Sequence, residues 1–319
     1  MRREILVGLS LFGLLARPAL AATMQDLADC RFGEHRSADI AACTRVIEDP
    51  ATPEEERAVA TFNRGQTYES KGAYEEALAD YTELLKTKPI ALIYANRGLV
   101  YQRLHDYRHS IADLTEAVRL DPELSQAYKW RGISFYNIGE FDRALADFND
   151  AQRLNPKDTE VYWQRAQTYE TVRDFKAALA DFSEYLERDR KSVRGYVRRA
   201  QVLLELGDVD HALGDISDAL YIEPSNAFAL VVRGNAYRKK GDYDRAIDDY
   251  TAAIHFHSFP PYYHERGVAY RMKGDRAHAI DDLKMAVKLW PTGSPDSIAE
   301  LKKLGIDMSN YDPLKLPKA

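Results

Sequence analysis

Apolar and small side chains recur along this chain with the spacing of amphipathic helices, and the helices recur with a fixed period. Small residues that follow an arginine stand at Gly65, Gly98, Gly132, Ala166, Ala200, Gly234 and Gly267, with steps of 33, 34, 34, 34, 34 and 33 residues. Three positions after each comes a large residue: Tyr68, Tyr101, Phe135, Tyr169, Leu203, Tyr237 and Tyr270. Twelve positions after each comes a second small one: Ala77, Ser110, Ala144, Ala178, Ala212, Ala246 and Ala279. A period of this size marks stacked repeats, each burying its apolar face on the next.

Each unit reads as two helices joined by a turn. In the first, Phe62, Gly65, Tyr68 and Glu69 share one helical face. Lys71-Gly72 ends that helix, because glycine takes the left-handed backbone wanted just past a C-terminus. Tyr74 to Lys86 forms the second helix, and Pro89 closes it because proline cannot extend the hydrogen-bond ladder. Pro122, Pro156, Pro224 and Pro291 close later units in the same way. Gly65 and Ala77 would let the two backbones approach closely, with Tyr68 and Tyr81 filling the space on either side.

This register of small, aromatic, Gly, Ala, aromatic, Ala and Pro positions, repeated seven times, resembles the tetratricopeptide repeat (TPR) family. The resemblance implies an all-α, right-handed solenoid of about seven antiparallel helix pairs, with first helices lining a concave groove. Residues 1–21 then read as a signal peptide, 22–57 as an N-terminal cap or degenerate half repeat, 58–292 as the seven repeats and 293–319 as a closing helix and tail. Local departures are Arg173 for the turn glycine, His105 at another turn, Arg190 for a proline, and Ser258 followed by Pro260 and Pro261. They leave the angles between repeats open.

The ends carry further signals. Arg2 and Arg3 precede an apolar run, Ile5 to Leu15, and Ala19-Leu20-Ala21 supplies a small-x-small cleavage pattern. The run is shorter than the ~20 residues a membrane span needs, so a soluble, exported mature chain is expected, periplasmic or secreted. Lipidation at Cys30 is disfavoured by Asp29 before it and by its distance from the apolar run. Cys30 and Cys43, the two cysteines, read as one disulfide of an exported protein. "IAACTRVI" (Ile40 to Ile47) looks like the second helix of a leading repeat. At the other end, Ser294 reads as N-cap and Pro295 as the first residue of a closing helix.

Charge narrows the function classes. The chain carries −6, and removal of Arg2, Arg3, Glu4 and Arg17 leaves −8, a poor balance for binding nucleic acid. Every repeat has arginine before its small residue, at 64, 97, 131, 165, 199, 233 and 266. Sixteen positions on it has aspartate, at 80, 113, 147, 181, 215, 249 and 282. No ligand needs seven evenly spaced cations each matched by an anion, so these pairs read as frame. No Ser-His-Asp set, phosphate-cradling glycine loop or H-E-x-x-H occurs, and the glycines are absorbed by the repeat, so no enzyme and no cofactor is expected. His255, His257 and His264 with Glu265 form a weak metal pattern beside an ordinary inter-repeat joint, and no metal is assigned.

Function in a solenoid lies where its repeats differ. The resemblance points to first-helix positions three before, one after and four after the small residue. Phe62, Gln66 and Glu69 hold them in the first repeat, and Ala95, Leu99 and Gln102 in the second. The groove contacts singled out are Lys129, Tyr136, Trp163, Gln167, Gln201, Asn235, Arg238 and Arg271. Aromatic anchors beside amides suit an extended peptide or a partner helix. Ile133 departs from the asparagine of the carboxylate-clamp members of the family. Arg194, Arg198, Lys239 and Lys240 join Arg238 and Arg271 as a basic end of the groove if they converge, and otherwise form a solvated face. The expected partner is a protein or peptide. Alternatives are a periplasmic assembly factor or chaperone for an unfolded client, a self-associating structural protein, or a cell-wall glycan binder. The tail "YDPLKLPKA" is itself a candidate occupant of the groove.

Overall fold

The computed structural model describes residues 22–31, 39–290 and 294–308. The signal segment, Pro291 and the tail from Ser309 lie outside the described residues. Among those described there are seventeen helices and no strand. They group into two compact units, Met1–Ile138 and Gly139–Ala319.

The first unit holds α1 (Met24–Asp29), α2 (Ile40–Glu48), α3 (Glu54–Ser70), α4 (Tyr74–Thr87), α5 (Ala91–Arg103), α6 (Tyr107–Leu120) and α7 (Ser125–Asn137). From α2 onward each helix packs on the next, and α3, α5 and α7 also touch in series, as first helices of stacked pairs do. Tyr81, Leu84, Ile93 and Val100 form one buried centre with Ala77. The predicted close approach is real: a Cβ added at Gly65 would lie 2.9 Å from the Tyr81 ring. The disulfide joins Cys30 to Cys43 with Cα atoms 4.7 Å apart, inside the usual span for such a bond. Asn63 of α3 donates to the Cys30 carbonyl at 2.9 Å, and Arg45 of α2 pairs with Asp26 of α1. The disulfide thus staples α1 to α2 within the cap, and polar and apolar contacts from Asn63 and Ala60 tie the cap to the first repeat.

The second unit runs through α8 (Phe141–Leu154), α9 (Thr159–Thr171), α10 (Phe175–Arg188), α11 (Val193–Glu205), α12 (Val209–Ile222), α13 (Ala227–Lys239), α14 (Tyr243–Phe256), α15 (Pro260–Lys273), α16 (Arg276–Leu289) and α17 (Pro295–Lys303). Second helices start on an aspartate N-cap in four of its repeats, at Asp174, Asp208, Asp242 and Asp275, each accepting from an amide of the first turn. The closing helix α17 seats Leu301 on Val268, Leu283 and Val287. Pro295 opens it as expected, while the Ser294 side chain makes no capping bond.

The turn positions that depart from glycine keep the glycine conformation. Gly72 has φ +75°, and His105 and Arg173 adopt φ 60° and 64°. An aromatic two residues on accompanies each of these two: the His105 ring meets the Tyr107 hydroxyl at 2.8 Å, and the Arg173 guanidinium lies 5.3 Å from the Phe175 ring centre.

Candidate partner-binding groove

The arginine before the small residue is held in a fork in repeats one, two and four to seven. In repeat five, Arg199 Nε donates to Asp215 Oδ2 at 2.8 Å and Nη2 to Oδ1 at 2.7 Å. The same bidentate pair forms between Arg64 and Asp80, Arg97 and Asp113, Arg165 and Asp181, Arg233 and Asp249, and Arg266 and Asp282. The aspartates are buried, and the hydrogen bonds they accept hold the arginines even further above their usual basicity. The third nitrogen reaches back to the preceding second helix. Arg97 Nη1 donates to Thr82, Arg131 to Thr115, Arg165 to Asn149, Arg199 to Ser183 and Arg266 to Thr251. Each acceptor stands two residues after the preceding repeat's aspartate, so one guanidinium fastens two helices of its own repeat and one of the repeat before.

That bridge was legible and passed unnoticed: the second helices read Asp-x-Thr, Asp-x-Asn or Asp-x-Ser until the seventh repeat, which has Lys284 and no following arginine to receive. The frame thus accounts for these cations without a ligand. The side chains that differ between repeats remain as the binding surface.

Their placement corrects part of the reading above. Trp163 of α9 is only 7% exposed, with Phe182 edge-on at 5.5 Å, Tyr185 at 5.2 Å and the Arg194 guanidinium over its ring at 4.3 Å. It is a packed wall, not a free anchor. Val197 and Val231, at the same repeat position, are buried as well: Val197 in a core with Ala229 and Val232 of α13, Val231 in one with Tyr250 of α14 and Tyr262 of α15. Among positions one and four after the small residue, Gln167 on α9, Gln201 on α11, Asn235 and Arg238 on α13, and Arg271 on α15 stay partly open, whereas Leu204 and Val268 are buried. Lys129 and Tyr136 are half-buried on α7 of the first unit, seven residues apart and so on one face.

The basic residues of the last repeats do not converge; each has its own partner. Arg194 pairs with Glu160, Arg198 with Glu170, Arg238 with Glu265, Lys240 with Asp210 and Arg271 with Glu300, and Lys239 donates to the Leu204 carbonyl. The Arg271 Nε lies 2.6 Å from Glu300 Oε2 with its N–H not aimed at that oxygen, a charge contact without hydrogen-bond alignment. What the structure does bring together is Asn235 and Arg238, around the buried Tyr250. The Tyr250 hydroxyl donates to Asn235 Oδ1 at 2.7 Å and receives Arg238 Nε at 3.3 Å, and burial pushes its phenol well above the usual range. Burial likewise raises the Glu69 and Glu170 carboxyls, the first-helix acids of repeats one and four.

Two openings flank these lines. One, of about 340 Å³, lies in the second unit between Trp163, Arg194, Val197, Arg198 and Phe228. The other, of about 220 Å³, lies in the first unit among Ala58, Val59, Phe62, Leu84, Ile90 and Leu92. His264 bonds Ser297 at 2.9 Å and His257 packs on Phe259 and Tyr262, and among the described residues no three or more His, Cys, Asp or Glu are arranged for a metal. No helix of the described residues is long and apolar enough to cross a membrane.

Known proteins agree on the fold. Tetratricopeptide repeat models match residues 58–90, 96–159, 164–228 and 227–257, together more than half of the chain. No curated protein matches it. A tetratricopeptide repeat protein from Parabacteroides merdae superposes with a TM-score of 0.59 at 20% identity, covering 78% of this chain and 99% of that one. The Cut9–Hcn1 hetero-tetramer of the APC/C superposes with a TM-score of 0.58 at 18% identity, over 83% of this chain and 52% of that one. This chain thus spans about half of that partner-bound structure's length.

Proposed function

This chain belongs to the tetratricopeptide repeat family, the fold of a protein-interaction scaffold, and we propose that it acts after export by holding a peptide or helix of a partner protein along its first helices. The observation that carries this reading is the contrast between frame and surface. The arginine–aspartate fork is the same from repeat to repeat, whereas the half-open positions beside it change from Glu69 to Gln102, Tyr136, Glu170, Arg238 and Arg271. A scaffold that keeps its frame and varies these open positions is suited to reading one partner.

The test is a pull-down from periplasmic extract with the mature chain as bait. The control is a variant with Tyr136, Gln167 and Gln201 changed to alanine, since these leave the buried Trp163 in place. A partner kept by the wild type and lost by the variant supports the reading. Partners held equally by both move the site to the outer helix faces or the caps.

A further inference from the structure

Resting on that reading, we propose that the first unit is the end that grips the partner, and that it takes a polypeptide segment with an aliphatic or aromatic anchor next to a lysine or arginine. The anchor enters the apolar opening between α3 and α5. Its walls include Val59, Ile90 and Leu92, which are 53%, 51% and 46% exposed, high values for side chains that form one cluster. A second apolar opening, of about 140 Å³ beside Cys30 and Val46, shares Val59 and Glu55 with it, so the two make one continuous surface.

Arg31 and Lys88 line this surface against three glutamates of α3, which leaves a small negative excess. The first turn of α3 carries Glu54, Glu55 and Glu56, all exposed, and of these Glu55 pairs with Lys88 at 2.6 Å. At the other end of the same helix face stands Glu69, seven residues and ~10 Å along from Phe62. Beside Glu69 the fully buried Tyr81 hydroxyl meets that carboxyl in poor hydrogen-bond geometry. The equivalent tyrosine of repeat six, Tyr250, has Asn235 and Arg238 for partners, whereas repeat one places Gln66 and Glu69 at those positions. A desolvated carboxyl whose field holds Arg103 and whose buried phenol neighbour is poorly aligned is costly for the free protein, and an incoming ammonium or guanidinium relieves it. The ~10 Å between pocket and carboxyl corresponds to about three residues of an extended peptide.

The experiment uses the mature chain and short fluorescein-labelled peptides with a Leu-Phe core flanked by lysines. Matched peptides carry glutamine or glutamate at the lysine positions. The lysine peptide should bind ~10-fold or more tightly than the glutamate peptide in fluorescence anisotropy. Leu92→Asp should weaken the lysine and glutamine peptides alike. Glu69→Gln should weaken the lysine peptide by ~3- to 10-fold and leave the glutamine peptide unchanged, a coupling that a merely structural role would not produce. Circular dichroism confirms that both variants are folded. Binding of no peptide, or equal binding of all three, overturns the inference. Preference for the glutamate peptide, lost on Arg198→Ala, overturns it too while leaving groove binding intact.

Discussion

Replacing one arginine of the frame tests whether these cations are structural. In Arg199→Met the Asp215 carboxylate loses two bonds, at 2.8 and 2.7 Å, and Ser183 loses its contact at 3.3 Å. The two partners differ in burial: the Asp215 side chain is 8% exposed and that of Arg199 24%. An exposed pair contributes about 0–1 kcal/mol. Stranding one member of a fully buried pair costs about 3–5 kcal/mol. The carboxylate lies near the buried limit, so Arg199→Met should destabilise by about 2–3 kcal/mol. Asp215→Asn leaves a guanidinium that water already reaches and keeps an amide acceptor, and should cost about 1–2 kcal/mol. The double variant Arg199→Met/Asp215→Leu removes both charges and should cost less than the sum of the single changes. Stacked repeats unfold piecewise, so a single melting temperature is a blunt readout. Hydrogen exchange in α11 and α12, read peptide by peptide, gives the local opening free energy. Equal effects of the two single variants, or effects under about 0.5 kcal/mol, would refute the reasoning.

Other consequences follow from the caps and the close contacts. The Arg45 guanidinium, with the Thr23 amide and hydroxyl, holds the Asp26 carboxyl down at about 2. An unfolded aspartate titrates near ~3.9, so this pair contributes in full above pH ~4 and the contribution disappears as pH falls towards ~2. Asp26→Asn should thus lower the urea midpoint of the cap at neutral pH, with the gap to wild type closing on acidification; a gap that stays constant contradicts the assignment. Opening the Cys30–Cys43 bridge, by reductant or by Cys43→Ser, should cost about 3 kcal/mol for a loop of this length. Proteolysis between α1 and α3 should speed up while α11 to α14 stay protected. Gly234→Ala would put a Cβ 2.6 Å from the Tyr250 ring and should destabilise by about 1–3 kcal/mol, read as faster exchange in α13 and α14.

Why some of this was readable from sequence and some was not comes down to locality. The helix pairs follow from apolar spacing, glycine turns and closing prolines, all set within one repeat of the chain. The Arg64–Asp80 fork and its copies were legible for the same reason: a constant offset of sixteen places both ends at one level of adjacent helices. The disulfide was legible because two cysteines have one pairing to make with each other. Burial at the first-helix surface was not, since it depends on how closely neighbouring repeats approach. Trp163 looked like an open anchor by its position in the repeat, yet Tyr185 and Arg194 close over it from outside its own helix. The basic end dissolved for a related reason: Arg238 and Arg271 meet Glu265 and Glu300, carboxylates 27 and 29 positions along the chain that no local pattern ties to them. Sequence by itself thus determined the repeat, its helices and the ion pairs inside it, because those depend on fixed offsets along the chain. Only the tertiary structure decided which charges are spent on neighbours and which first-helix side chains stay open, because both depend on the fit of one repeat against the next.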